Sequence, residues 1–308
     1  MVTVNSISGG KTSAYIAVHY PADYEVFSVV CLDDVRCKVK DPSVLLYAQA
    51  KLEKYNNRYG QFIATAEDDK TLKAMMDLEQ YIGREIIWVR GLSYDDVLNS
   101  GTQTRLPSWA RRYCTEKMKL AAIFEWWFYN IGEKCNMRIG FRFDEFDRME
   151  RFFNNSDPAN FKIPVSCSTK GQRLQKHQIF NWRFVSMPLI KNVITKDVVN
   201  SYWIANGWVG GNLFEERRKI EFPAISNCVF CFHKSIETLA AEAILNPEKM
   251  NWAAEAENIT KNGKSMGKWL DSLVSYEYII NNAEELAKEV LYEMKILGQS
   301  CDSGGCHD

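Results

Sequence analysis

The sequence predicts an α/β protein, a doubly wound and mostly parallel sheet followed by a C-terminal helical appendage. Three observations predict it. Short β-rich runs alternate with longer helical patterns through the first half of the chain, which implies parallel pairing with right-handed crossovers. The first strand runs directly into a Gly-Gly turn and a helix. After Gly210-Gly211 the pattern becomes helical, with no convincing strand between the helices. The expected organisation is an α/β domain over 1–210 and a helical region over 211–308 that ends in a polar, Gly-rich, Cys-containing tail.

In chain order, Val2 to Ile7 reads as a strand and Ser13 to Tyr20 as a helix closed by Pro21. Val26 to Leu32 is an unbroken apolar run that suits a strand buried on both faces. Val44 to Tyr59 carries apolar residues at 44, 45, 48 and 52 and stops at Gly60, as a helix does. Phe62 to Ala66 reads as a third strand, Thr71 to Ile82 as a helix, Glu85 to Val89 as a fourth strand and Met137 to Phe141 as a fifth. Ser235 to Leu245, Lys249 to Ile259 and Asn281 to Leu297 have helical periodicity.

The composition narrows the functional classes. Of 308 residues, 46% are hydrophobic and 25% charged, the balance of a globular protein with an ample core. Net charge is -1, so no global basic field advertises nucleic acid, although a local patch is compatible with it. The opening Met1-Val-Thr-Val-Asn-Ser does not read as a signal peptide, and no run is long and apolar enough for a membrane helix. The expected location is cytoplasmic. In a reducing compartment the nine cysteines are expected to be thiols, metal ligands or redox groups rather than bridges.

The strongest chemical signal is Ser8-Gly9-Gly10-Lys11-Thr12-Ser13. Two glycines allow a tight turn and close approach to a ligand. The amides that open the next helix lack internal partners and carry partial positive charge, and hydroxyls and a lysine complete an anion site. The common NTPase loop needs a further glycine where Asn5 stands, and the nicotinamide G-x-G-x-x-G is missing. The bland alternative is a strand-to-helix turn that uses Gly and Ser for geometry alone.

The stretch resembles the S-G-G-x-[DT]-S loop of the PP-loop ATP pyrophosphatases, which cleave ATP to AMP and pyrophosphate. Three further segments are similar to signatures of the phosphoadenosine phosphosulfate reductase-like branch of that superfamily. They are Arg111-Arg112-Tyr113-Cys114-Thr115-Glu116-Lys117-Met118-Lys119, Ile139-Gly140-Phe141-Arg142-Phe143-Asp144-Glu145-Phe146-Asp147-Arg148, and Met187-Pro188-Leu189-Ile190 with Thr195 to Val199. The resemblance spans roughly residues 4 to 235, and Thr12 stands where the family usually has Asp. It implies an adenine nucleotide alpha-hydrolase-like fold, ATP with Mg²⁺, and nucleotide contacts at Ser6, at Ser8 through Ser13 (Gly9, Gly10, Lys11 and Thr12 included), and at Asp33, Lys119, Gly140, Arg142 and Arg148.

Residue chemistry agrees. Arg142 and Arg148 offer planar donor forks for phosphate or sulfate. Asp144 and Glu145 can hold Mg²⁺ or orient those arginines, and Asp33 and Asp34 end the second strand near a ribose edge. Lys11, Arg142 and Asp144 are therefore candidate catalytic residues. The competing reading is a solvated, ion-paired helix start.

Asn227-Cys228-Val229-Phe230-Cys231-Phe232-His233 is a metal-type signal, because two thiolates two residues apart can share one ion or cluster. The resemblance implies Cys114 as a third ligand of a [4Fe–4S] cluster. The fourth is open between Cys167, His233 and a tail cysteine, and zinc bound by Cys114, Cys228, Cys231 and His233 competes, as does a buried or redox C-x-x-C. Gly305-Cys306-His307 loosely resembles the mobile nucleophile of simple reductases, so Cys306 is a candidate catalytic thiol, or else part of a frayed end. Cys31, Cys37 and Cys135 read as core residues, His19 and His177 as structural.

The expected function is ATP-dependent adenylation with sulfur transfer, a thiolation, to a nucleic acid (tRNA or DNA) or a small molecule. Candidate partners are a sulfur-donor protein, a nucleic acid met by the basic run Arg105, Arg111, Arg112, Lys117 and Lys119, and a second copy of the chain; no membrane is expected. The alternatives are a sulfonucleotide reductase acting through Cys306, and a nucleotide-binding subunit of a larger system.

Overall fold

A computed structural model of the chain describes residues 1–100, 103, 105–109, 111–155, 157–169, 172–206, 220–270 and 274–297. The tail thiols Cys301 and Cys306 and the boundary at Gly210-Gly211 lie outside the described residues.

The α/β part opens with β1 (Thr3–Ile7), α1 (Lys11–His19), β2 (Tyr24–Val29), the short β3 (Cys31–Leu32), α2 (Pro42–Asn56) and the short β4 (Ala64–Thr65). It continues with α3 (Asp69–Ile82), β5 (Ile86–Arg90) and α4 (Tyr94–Asn99). A π-helical stretch, Thr115–Leu120, runs into α5 (Ala121–Asn130), followed by β6 (Cys135–Arg138) and α6 (Phe146–Asn155). A long hairpin of β7 (Asn160–Thr169) and β8 (Gln172–Asn181) leads to β9 (Arg183–Ser186), α7 (Pro188–Lys191) and α8 (Lys196–Asn206).

Five strands form one sheet in the order β5-β2-β1-β6-β9, and every neighbouring pair is parallel. The chain lays strands outward on one side of β1 and then returns to lay β6 and β9 on the other. Two-residue periodicity divides the side chains between two cores. Ile7, Phe27, Val29, Ile86 and Trp88 pack with α1, α2, α3 and α8 on one face. Val4, Val26, Ile87, Val89 and Met137 pack with α5 and Trp182 on the other. The doubly wound expectation therefore describes this sheet.

Three element expectations need correction. Residues 62–66 do not join the main sheet: β4 is two residues long and pairs antiparallel with β3. Its backbone is diverted because Glu67 bridges to Cys228 and Asp68 caps α3 by accepting the Lys70 amide. The Val26–Leu32 run is likewise split, with its end turned toward β4 rather than continuing in the sheet. The fifth sheet strand is β9, and the β7–β8 hairpin is an antiparallel insertion before it.

The C-terminal region comprises α9 (Ile236–Leu245), α10 (Pro247–Ala256), the small hairpin β10 (Thr260–Lys261) and β11 (Lys264–Ser265), α11 (Tyr276–Asn281), α12 (Ala283–Leu286) and α13 (Lys288–Leu297). It is thus mainly helical but not strand-free, and the expected 281–297 helix is interrupted at Asn282 and Ala287. These elements share one hydrophobic cluster with Val30, Leu32, Ala64, Tyr94 and Met118 of the α/β part.

A buried ion pair anchors the Cys228–Cys231 turn to α9. Lys234 Nζ lies 2.6 Å from Glu242 Oε1 and 3.3 Å from the Val229 carbonyl oxygen, with both charged side chains almost wholly shielded from solvent. Burial pushes the Glu242 carboxyl upward, against the pull of Lys234. Removing one partner of such a pair costs about 3–5 kcal/mol, whereas replacing both by apolar groups is often neutral. Urea unfolding should show K234M destabilised by about that amount and K234M/E242L restored toward wild type. Without Lys234 the folded-state Glu242 carboxyl rises further, so the K234M deficit should grow as pH passes the wild-type folded pKa, itself above the ordinary 4.5, and a pH-independent deficit would refute this account.

Candidate functional site

In an open parallel sheet ligands bind beyond the carboxyl ends of the strands, where the strand order reverses. Here that point lies between β1 and β6, and a cavity of about 270 Å³ opens there. Its walls come from the Ser6–Ser13 segment, the π-helical stretch, the Ile139–Phe152 region, Lys196 of α8 and the Cys228–His233 turn.

The loop after β1 is shaped by Gly9, whose φ is +83°. A Cβ at Gly9 would stand 2.3 Å from Thr71 Cγ2, so only glycine fits. At Gly10 a Cβ would meet nothing within 4 Å. Ser13, buried in the first turn of α1, donates its hydroxyl to the Gly10 carbonyl oxygen at 3.0 Å and accepts from the Ser8 amide at 3.1 Å, which closes the loop on itself. Trp203 Nε1 donates to the Lys11 carbonyl oxygen at 2.9 Å and buttresses the loop from α8. The N-cap Gly10 supplies no side chain to cap α1, and its first turn carries no acidic residue, so its amides and dipole present positive potential to the cavity.

Across the switch point, Arg142 donates to Thr12 Oγ1 at 2.9 Å. Its backbone amide is held by Glu145, which also pairs with Arg148 at 2.6 Å. Arg148 stacks over Phe141 with 4.7 Å to the ring centroid. Gly140 brings this loop against Thr12 and Ile16.

The third wall is the π-helical stretch. Its carbonyls at Met118 and Lys119 are 3.4 and 3.5 Å from Ser28 Oγ, and it lies so close to the end of β5 that a Cβ at Gly91 would stand 2.8 Å from the Lys117 carbonyl oxygen. Lys119 reaches Glu67 Oε1 at 3.0 Å. Arg112 also lines the cavity.

Cys114, Cys228, Cys231 and His233 line the same cavity. The Tyr94 phenol hydrogen-bonds the Cys114 side chain and lies close to Cys228 and Cys231; burial first, then these three sulfurs, push its pKa well above the ordinary value. The turn carrying the thiols docks through its backbone, with the Val229 amide on the Ala66 carbonyl oxygen at 2.8 Å and Tyr276 Oη on the Phe230 carbonyl oxygen at 3.0 Å. The His233 ring is enclosed by Trp109 and Phe232, at 4.1 and 4.5 Å between centroids. Among the described residues no group of three or more His, Cys, Asp or Glu side chains stands in a metal-holding arrangement.

Of the sequence candidates, Ser6, Ser8, Gly10, Lys11, Thr12, Ser13, Lys119, Gly140, Arg142, Arg148, Cys114, Cys228, Cys231 and His233 all line this cavity, and Gly9 makes the bend. Asp144 and Asp33 do not line it. Asp144 Oδ1 accepts the Lys196 amide at 3.0 Å and caps α8, and it also lies 3.5 Å from Arg142 Nε, so it bears on the orientation of that arginine. Asp33 follows β3, outside the main sheet, where Ser93 donates to it at 2.5 Å and Arg90 faces it at 3.8 Å. Cys306 lies outside the described residues, and the side chain of Cys167 does also.

Sequence reasoning missed Glu67. Its carboxylate is almost fully buried beside Gly9, pairs with Lys119, and follows a backbone bridge to Cys228. No local motif marks it, because its neighbours come from distant parts of the chain. Arg183, also in the wall, went unmarked for the same reason, and Lys196, inside the Thr195 to Val199 segment, was not singled out as a wall residue.

Comparison with family models, with curated proteins and with solved structures returns no match.

The loop geometry separates two adjacent glycines experimentally. G9A should cost about 2 kcal/mol or more in urea unfolding through left-handed strain and the Thr71 clash, whereas G10A should change stability by less than about 1 kcal/mol. Equal losses at both positions would refute the assigned bend.

Proposed function

We propose that this cavity binds the polyphosphate of ATP and that the protein activates an acceptor by adenylation for sulfur transfer. The observation that carries the reading is the charge of the cavity wall. Among the described residues, seven Lys and Arg line it, Lys11, Arg112, Lys119, Arg142, Arg148, Arg183 and Lys196, against one carboxylate, Glu145, in a chain whose net charge is -1. Such a surplus in a partly enclosed site selects a polyanion.

The order of the groups supplies the chemistry. The α1 amides and Lys11 suit the terminal phosphates, with Arg142 bridging from Thr12 to the same place. An acceptor oxygen attacks the α-phosphate, the bond to the leaving pyrophosphate breaks, and these cations stabilise the growing negative charge. A sulfur nucleophile from a donor protein then displaces AMP. Glu145 orients both arginines, and Glu67 holds Lys119 beside the loop.

Cys114, Cys228 and Cys231 are the proposed thiolates for a [4Fe–4S] cluster or zinc at the other end of the cavity, with His233 the nearest nitrogen donor. Three cysteines lining one cavity beside the buried Tyr94 phenol suit such a group by donor type. A bound cluster would supply a site for sulfur adjacent to the adenylated acceptor.

Anaerobically purified protein should bind ATP with Mg²⁺ in calorimetry and release pyrophosphate when acceptor and sulfur donor are present. R142A should weaken ATP binding at least about 10-fold, the loss of one charge-assisted hydrogen bond worth about 1.5–3 kcal/mol. Iron or zinc should be present by elemental analysis and lost in C228S/C231S. Absence of ATP binding would overturn the nucleotide reading, and protein holding neither metal would overturn the thiolate-ligand reading.

A further inference from the structure

Trp109 is 50% exposed, yet its backbone is pinned on both sides. Ser108 and Arg111 exchange backbone hydrogen bonds at 3.3 and 2.9 Å, and the buried Leu106 donates its amide to the Met266 carbonyl oxygen at 3.0 Å. Tyr113 Oη donates to the Arg105 carbonyl oxygen at 2.8 Å. The indole meets the ring of His233, a residue of the cavity wall, at 80° with 4.1 Å between centroids. We propose that Trp109 is a stacking platform for an unpaired base, and that the acceptor brought to the thiol end of the cavity is a single-stranded nucleic acid. This inference rests on the adenylation reading and deepens it, because it names the acceptor of that reaction.

A single exposed aromatic is ordinary on a protein surface. The charge around this one is what selects a ligand. From Val97 to Thr115 the sequence carries Arg105, Arg111 and Arg112 and no Asp or Glu, in a chain whose net charge is -1. Arg105 and Arg111 are exposed, one on each side of Trp109 in the chain, and Arg112 reaches the cavity wall. The Arg112 Nε is buried with no hydrogen-bond partner among the described residues. Buried donors are nearly always satisfied, so an anion at this end of the cavity would complete it.

An aromatic plane among cations is the pairing that single-strand sites use: bases stack on the ring while arginines take the phosphates. The bases of a duplex are already stacked on one another, so a flat indole discriminates in favour of an unpaired one. Placement agrees with the reaction. Trp109 stands beside His233, and the chain leads from it through Arg112 to Cys114 in the cavity wall. A base held on Trp109, with its phosphate at Arg112, sets the neighbouring nucleotide beside the thiols of Cys114, Cys228 and Cys231. The polyphosphate of ATP is assigned to the α1 loop, Lys11 and Arg142, which leaves the thiol end to the acceptor.

The full chain would be titrated with single-stranded DNA and RNA of about 12 nucleotides, a length that one single-strand site can cover, and with the matching DNA duplex. At least one of the single strands should bind more tightly than the duplex. W109A should weaken that binding at least about 5-fold, the lower end for one base–aromatic stack, and W109F should restore most of it. R105Q/R111Q should shrink the slope of log K against log salt by about 1.4, near 0.7 for each phosphate of a single strand left without a cation. ATP binding should be unchanged in all three variants. Ultraviolet cross-linking of a strand carrying 5-bromouracil to the wild type should map to Trp109, which guards against a misfolded variant. Strand binding through Trp109 without any ATP binding would sink the nucleotide reading and leave the platform standing. No single-strand binding by the wild type, equal binding by W109A, or a duplex held as tightly would each overturn the proposal. So would a W109A variant that loses ATP rather than the strand, which would assign the indole to the adenine of ATP.

Discussion

Everything at the functional end of this molecule depends on where the sheet reverses its strand order. With β2 on one side of β1 and β6 on the other, the segments leaving β1 and β6 must diverge, and no crossover can cover the crevice between them. The crevice receives α1 amides from one strand and Arg142 from the next, and the 2.9 Å bond from Arg142 to Thr12 ties its two lips. A parallel sheet is buried on both faces, so its ends are where polar chemistry can be placed.

The helical C-terminal part completes that crevice rather than decorating it. Its Cys228–His233 turn closes the far wall, and its core merges with Tyr94, Leu32 and Met118. Three interactions converge on this joint: the bridge from Glu67 to Cys228, the 2.6 Å bond from Lys249 to the Glu67 carbonyl oxygen, and the Lys234–Glu242 pair. Glu67 therefore belongs at once to the surroundings of the Ser8–Ser13 loop, to the lysine opposite and to the thiol-bearing turn. Charges this deeply placed are held by geometry, because moving any one would leave another without compensation.

Much of this was legible in the chain. Strands β2 and β5 announce themselves as apolar runs and the loop from Ser8 to Ser13 by its glycines, whereas β6 (Cys135–Arg138) begins two residues before the expected Met137–Phe141 strand and ends inside it. The hairpin β7–β8 hid because Pro164 and a largely polar sequence argue against a strand, a rule that relaxes where one edge of the pair stays open. Phe62–Ala66 misled in the opposite sense: its apolar pattern is real, but burial comes from the C-terminal core and from α2 rather than from the sheet. Asp144 and Asp33 stand at strand ends, where a carboxylate reads the same in sequence whether it meets a cation, a ligand or a backbone amide. Only the tertiary partners, the Lys196 amide and Ser93, distinguish them.

The π-helical stretch from Thr115 to Leu120 has a further geometric consequence. In an α-helix each residue turns the chain by about 100°, so one additional residue in a turn acts as a phase shifter. Upstream of it Cys114 faces the cavity, and downstream Phe124, Trp126 and Trp127 pack in the core on one face of the sheet. The widened turn works like a vernier between two scales, letting a single continuous helix keep both appointments. Deleting one residue there would leave every side chain chemically intact and point one half of the helix in the wrong direction.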